Sequence, residues 1–195
     1  MLQSLNEIDV ALFLFLNQFH HPVFDFLFYW ISNKFIWIPL YAYLAWYLYK
    51  KEKQAFGALL FTIAIAITLS DQLASAWLKN LVMRPRPCHD PAIAEQVHTV
   101  YGYCGGLYGF VSSHAANSFA LLTLVLLIIG KEVWKFRNYL IIWACIHSYS
   151  RIYLGVHYPG DILGGAVLGI FAGLVMFKIY SYYKNLRYPV KSNLS

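Results

Sequence analysis

Apolar residues along this chain come in long blocks, and the polar residues between them fall in short charged bursts or in stretches rich in Gly and Pro. The block from Phe35 to Tyr49, FIWIPLYAYLAWYLY, is aromatic at both ends, as the belts at membrane interfaces are, and it stops at Lys50, Lys51, Glu52 and Lys53. Ala55 to Leu78, Ala115 to Gly130, Tyr139 to Leu154 and Ile162 to Tyr182 form four more. Such blocks approach the roughly 20 apolar residues that cross a hydrocarbon core, and lipid leaves a crossing backbone no choice but a helix. The pattern predicts an all-α, polytopic transmembrane helical bundle with five spans and a core over 34–184. Ahead of it, DVALFLFLNQFHHPVFDFLFYWIS is apolar but interrupted between Asn17 and Pro22 and again at Asp25. Two short interfacial helices within 1–33 suit that pattern, with a sixth, irregular span as the alternative. Residues 185–195 read as a tail, and 1–195 as one membrane-embedded domain. Glu7 and Asp9, with no basic residue before the first apolar run, do not resemble a cleavable signal peptide.

Composition agrees with the blocks: 59% of the 195 residues are hydrophobic and only 12% charged, which excludes an ordinary soluble domain. Charge adds an orientation. Lys50, Lys51, Lys53, Lys131, Lys135, Arg137, Lys178, Lys184, Arg187 and Lys191 fall on one side, which the positive-inside rule makes cytoplasmic together with the C-terminus. Contact with lipid headgroups accounts for these cations, and no nucleic acid is implied. Lys34, Lys79, Arg84, Arg86 and Arg151 fall on the opposite face, where cations are normally avoided. Gly165, Gly169 and Gly173 repeat at a spacing that lets another helix approach closely.

The chemistry lies on that outer face, in three stretches: KNLVMRPRP from Lys79 to Pro87, GFVSSHAAN around Ser112, Ser113 and His114, and SRIYLGVHYPGD from Ser150 to Asp161. Arg offers a planar fork to phosphate oxygens and Lys a point charge. Ser112 and Ser113 stand where the third span should begin, so its first amide groups and dipole can face an anion. Two histidines complete a phosphoryl-transfer set, one attacking phosphorus and one protonating the leaving oxygen. His157 and Asp161 are four apart, so a helix beginning near His157 would let the carboxylate take the Nδ1 proton and leave Nε2 to attack. His114 remains as general acid.

The three stretches, in order, fit the KxxxxxxRP, PSGH and SRxxxxxHxxxD motifs, and from about Lys79 to Asp161 the chain resembles the type 2 phosphatidic acid phosphatases, integral-membrane lipid phosphatases of the undecaprenyl-diphosphatase kind. The resemblance implies His157 as nucleophile, His114 as acid and Asp161 as partner of His157. It implies phosphate binding by Lys79, Arg86, Ser112, Ser113 and Arg151, a helical bundle with its site at the outer face, and no metal or other cofactor. Val111 replaces the motif's Pro and Ser113 its Gly, so the turn loses a fixed φ and a permissive residue, with rate or substrate as what the change would touch.

The remaining residues carry milder readings. Cys88 and Cys104 share the outer loop, where a disulfide would stiffen the entrance; with His89 and His98 they are also a zinc set in kind, although their spacing matches no zinc pattern. Cys145 reads as inert packing, and His20, His21, His89, His98 and His147 as solvated or packed residues. Arg84 binds phosphate or meets headgroups. Asp71 interrupts an apolar block two helical turns before Lys79, as a functional carboxylate or a paired one.

The expected activity is hydrolysis of a lipid phosphate monoester or diphosphate in a bacterial cytoplasmic membrane, releasing phosphate on the periplasmic or outer side. Undecaprenyl diphosphate comes first as substrate and the 1-phosphate of lipid A second, with phosphatidylglycerol phosphate and phosphatidate as further candidates. The rival activities are lipid-to-lipid phosphotransfer, anion transport and non-catalytic lipid binding. Oligomeric state is left open.

Overall fold

The computed structural model describes residues 2–131 and 136–189. Lys135, Lys191 and the end of the 185–195 tail lie outside them. The described residues are helical, with no strand among them beyond one isolated bridge, Pro85 to Tyr108. Eight helices follow in order: α1 (Leu2–Asn17), α2 (Pro22–Ser32), α3 (Ile38–Glu52), α4 (Phe56–Gln72), α5 (Lys79–Val82), α6 (Ser113–Ile129), α7 (Arg137–Tyr153) and α8 (Pro159–Arg187). Two stretches, Lys34–Val82 and Pro159–Arg187, are long and apolar enough to cross a membrane, and α6 is a shorter apolar helix.

Within Lys34–Val82 the chain folds back on itself. A straight helix would hold Tyr41 and Asp71 about 45 Å apart, yet both line one cavity. The reversal falls at Lys53, whose φ of 39° ends α3. Leu44 and Leu48 of α3 then pack with Leu59 and Ala66 of α4 in the main core, with Leu124 and Val125 of α6, Trp143 of α7 and Met176 of α8. Between α4 and α5 the helix widens into a π turn over Leu73–Leu78, immediately before Lys79. Such turns change the direction in which following side chains face and recur at functional sites.

The glycine series of α8 packs against α6. A Cβ at Gly165 would stand 2.5 Å from the Ser112 carbonyl oxygen, and one at Gly169 would stand 2.2 Å from that of Ala116. At Gly173 it would meet Thr123 Cβ at 2.7 Å. Backbone atoms of a helix cannot step aside, so two of these approaches admit no side chain. Gly169→Leu is expected to destabilise the protein by about 1–3 kcal/mol. Thermal unfolding in detergent, with Leu174→Ala on the exposed face of α8 as control, measures this.

The N-terminal helices form two short pieces broken between Asn17 and Pro22, and they are fastened to the end of α7. Asn17 Nδ2 donates to the carbonyls of Ile152 (3.2 Å), Tyr153 (3.0 Å) and His98 (3.1 Å), and its Oδ1 accepts from His98 N at 2.8 Å. Asp25 accepts from Tyr153 Oη at 2.7 Å and pairs with His98 Nε2 at 2.9 Å. His98 is therefore a structural tie. Cys145, expected in the packing, is exposed on the outer side of α7 instead: the neighbouring Ala144 and Trp143 take the inward face, and Cys145 is one position beyond it.

Candidate active site

Each of the three motifs ends at one place. Ser112 caps α6, its side chain accepting from Ala115 N, so that the N–H groups of Ser113 and His114 head the helix without intrahelical partners. The Ser112 amide itself donates to the Asp161 carbonyl at 3.0 Å, which locks the start of α6 to the start of α8. The helix of the third motif begins two residues later than the His–Asp spacing suggests. Pro159 opens α8 and Tyr158 caps it, so His157 precedes the helix and Asp161 is its third residue. The pair forms across the helix start rather than along it: His157 Nδ1 lies 3.3 Å from Asp161 Oδ2, which also accepts Tyr158 N at 3.0 Å.

Electrostatics places the cations around this pair. His157 is 2% exposed. Burial first, and then the positive charges of Arg86, Arg151 and Lys79, hold its imidazole well below the usual histidine range. A neutral ring whose Nδ1 faces a carboxylate keeps its Nε2 lone pair for attack. His114 is within electrostatic reach of His157, Arg151 and Lys79, so the two imidazoles share one cluster. His114 and Arg151 also line one cleft of about 380 Å³ with Ser32, Lys34 and Tyr103.

Arg86 is held by the outer loop. Its Nε donates to the Tyr108 carbonyl (3.3 Å) and one terminal nitrogen to that of Cys104 (3.2 Å). Cys104 is joined to Cys88 as a disulfide with Cα atoms 6.0 Å apart, so that covalent bond anchors the carbonyl that holds the guanidinium. Arg151, 5% exposed, donates to Ser32 Oγ at the end of α2. Its Nε and the Ser113 Oγ have no hydrogen-bond partner among the described residues, although both are buried. Buried donors of this kind are ordinarily paired, and a phosphate oxygen would pair them.

Several contributors have no motif to announce them. Arg84 is engaged by acidic groups: it bridges Asp161 Oδ1 (3.1 Å) and Asp9 Oδ2 (2.7 Å), donates to Asn6 Oδ1 (3.0 Å) and stacks on the Tyr158 ring at 3.8 Å. Asp9 in turn accepts from Gly160 N at 2.7 Å, in the first turn of α8. Only Arg86 stands in the KxxxxxxRP spacing; strand alternation offers no second signal, since residues two apart on an extended segment face the same way. His147, read as a bland residue, has its ring 5.5 Å from that of His114, and its Nδ1 lies 2.8 Å from Ser118 Oγ. Its position one turn before Arg151 on α7 was the available sign.

Gly109 passes directly over the His157–Asp161 pair. A Cβ there would stand 2.9 Å from Asp161 Oδ2 and 3.6 Å from His157 Nδ1. Gly109→Ala is expected to push the carboxylate off the ring and lower kcat by about 10- to 100-fold, the cost of a displaced charged hydrogen bond. KM should change less than kcat, because the Cβ meets the Arg86 side chain only at 3.3 Å, a tighter contact than usual but one a small shift relieves. Steady-state phosphate release measures both.

Known proteins resemble this chain in sequence and in fold. A family model for the PAP2 superfamily matches residues 55–185. A protein of Bacteroides thetaiotaomicron named Lipid A 4'-phosphatase is 39% identical over 182 residues, covering 92% of this chain and 80% of that one. An undecaprenyl-diphosphatase of Sulfolobus acidocaldarius is 29% identical over 151 residues, 77% of this chain and 66% of its own. The fold matches the crystal structure of a transmembrane PAP2-type phosphatidylglycerolphosphate phosphatase from Bacillus subtilis with a TM-score of 0.67 at 19% identity, over 94% of this chain and 90% of that one. A helical fold of that type, a family match through all three motifs and a near full-length relative agree: the chain belongs to the PAP2 superfamily and is a phosphoric ester hydrolase.

Proposed function

We propose that the protein is a single-domain, membrane-embedded lipid phosphatase in which His157 Nε2 attacks phosphorus and Asp161 stabilises the imidazolium that forms. His114 protonates the departing oxygen and then, as base, activates the water that hydrolyses the phosphohistidine. Arg86, Arg151 and Lys79, with the first amides of α6 and the hydroxyls of Ser112 and Ser113, hold the equatorial oxygens. These cations do the electrostatic work a metal would do, so the reaction proceeds without one.

The observation that carries the reading is the clustering of Arg86, Arg151 and Lys79, from two separate motifs, around the buried His157. An anion transporter has no use for a nucleophile with its own carboxylate. Five crossings, by α3, α4, α6, α7 and α8, put both histidines at the face opposite Lys50, Lys51 and Lys53. In a bacterial cytoplasmic membrane that face is periplasmic, where the Cys88–Cys104 disulfide is stable, and the C-terminus is cytoplasmic.

The likeness to a lipid A 4'-phosphatase over 92% of the chain moves a phosphorylated lipid A to first place as substrate and undecaprenyl diphosphate to second. The test is release of inorganic phosphate from lipid A, undecaprenyl diphosphate, phosphatidylglycerol phosphate and phosphatidate, each with and without EDTA. Lipid A should give the highest kcat/KM, with EDTA changing it less than twofold. Transfer of the phosphoryl group to a second lipid without free phosphate would make the protein a transferase, and a requirement for a divalent ion would overturn the mechanism.

A further inference from the structure

A second cavity, of about 580 Å³, meets the active site at His114. Its depth is apolar, lined by Tyr41, Leu48, Ile63 and Leu121, and its mouth carries Lys34, Asp71, Ser113 and Asn117. Phosphate chemistry uses neither Asp71 nor Asn117, and a carboxylate facing a hydrocarbon-lined cavity needs a partner. Asp71 has one on one side only. Ser70 Oγ donates to Asn117 Oδ1 at 2.8 Å, which turns the amide nitrogen toward Asp71, and that nitrogen donates to Asp71 Oδ1 at 3.3 Å. No described residue donates to Asp71 Oδ2 or forms an ion pair with the carboxylate. As a carboxylate it only accepts, so a partner for that oxygen must be a donor.

The opposite wall repeats the demand. Trp143 and His147 line the same cavity, each 6% exposed, and Trp143 Nε1 and His147 Nε2 lack partners among the described residues. Ser118 Oγ lies 2.8 Å from both the His114 carbonyl and His147 Nδ1, which fixes the His147 ring against α6.

Resting on the reading of the protein as a lipid phosphatase, we propose that this cavity seats a hydrocarbon chain joined to the phosphorylated headgroup through an amide N–H or a hydroxyl-bearing linkage. Asp71, oriented by Asn117, is the residue that selects such lipids. An isoprenyl diphosphate and a diacylglycerol phosphate fill the apolar depth equally well but bring no donor to the mouth. His114, shared by cleft and cavity, places the scissile phosphate beside that linkage.

The test compares the full-length protein in nanodiscs with Asp71→Asn, Asp71→Ala and Asn117→Ala on three substrates: an N-acylated glucosamine phosphate lipid, dioleoyl phosphatidate and farnesyl diphosphate. Loss of a charge-assisted hydrogen bond should lower kcat/KM for the amide-linked lipid by about 10- to 100-fold, while the other two substrates change less than twofold. That retention also shows the variants are folded. An equal loss on all three would mean that Asp71 acts through nearby Lys79, and no loss on any would make it an idle carboxylate; either overturns the proposal. His157→Ala run alongside separates the two readings, since phosphate release surviving in that variant would sink the lipid-phosphatase mechanism and leave the Asp71 comparison to stand or fall by itself.

Discussion

His157→Ala should abolish phosphate release, with a fall in kcat of at least about 10⁴-fold, while the protein keeps its unfolding temperature within a few degrees. Removing the nucleophile of a unit that attacks and is oriented as one leaves only binding and charge stabilisation, which is why losses of this size are seen for such residues. The physical basis here is specific. The ring is buried, its Nδ1 faces Asp161 Oδ2 at 3.3 Å, and three cations press it toward the neutral form. The same causes set a pH dependence. Because the folded protein disfavours imidazolium, the ring stays nucleophilic as pH falls through the ordinary histidine value of about 6.5. The acid limb of kcat/KM, corrected for the substrate's own ionisation, should therefore lie below 6.5. Residual turnover above a thousandth of wild type in His157→Ala, or an acid limb at or above 6.5, would assign the attack to another group.

His114→Ala should cost about 10²- to 10⁴-fold in kcat on a lipid substrate, the usual worth of a positioned acid–base group. It differs from the first variant in what it spares. A phenolic leaving group departs without a proton, so with p-nitrophenyl phosphate the first step should continue while hydrolysis of the intermediate, which needs His114 as base, stalls. Phosphohistidine should then accumulate as an acid-labile, base-stable adduct detectable by mass spectrometry, with a burst of nitrophenol equal to the enzyme present. Failure to trap any adduct, together with the absence of a nitrophenol burst, would remove His114 from the acid–base role. His147 lies 5.5 Å away and could not stand in without moving, because Ser118 holds its Nδ1.

These expectations rest on groups that were legible along the chain, whereas the supports of those groups were not. Lys79, Arg86, Ser112, Arg151, His157 and Asp161 sit in ordered motifs whose spacing is local. The break of the N-terminal stretch between Asn17 and Pro22 was equally readable, because polar residues and Pro interrupt a helix wherever it is. Its purpose was not. The two N-terminal helices, expected at the membrane interface, carry Asp9, Asn17, Asp25 and Ser32, and these hold the first turn of α8, the end of α7 and Arg151 in place. The small-residue series on α8 announced a close neighbour without naming it; the neighbour is α6, whose first turn carries Ser112 and His114, so packing density there sets the geometry of the site.

By itself the sequence determined a helical, membrane-embedded protein with phosphate-handling motifs, because block length, charge placement and residue spacing are properties of neighbouring positions. Only the tertiary structure brought Arg84 against Asp9 and Asp161, set Gly109 against the Asp161 carboxylate, and opened an apolar cavity beside His114. Those outcomes depend on contacts between residues distant along the chain, such as Asp9 with Arg84, 75 positions away, and Ser32 with Arg151, 119 positions away. A hydrogen bond or a clash across that distance leaves no period in the chain, since its energy depends on position in space and not on order along the backbone.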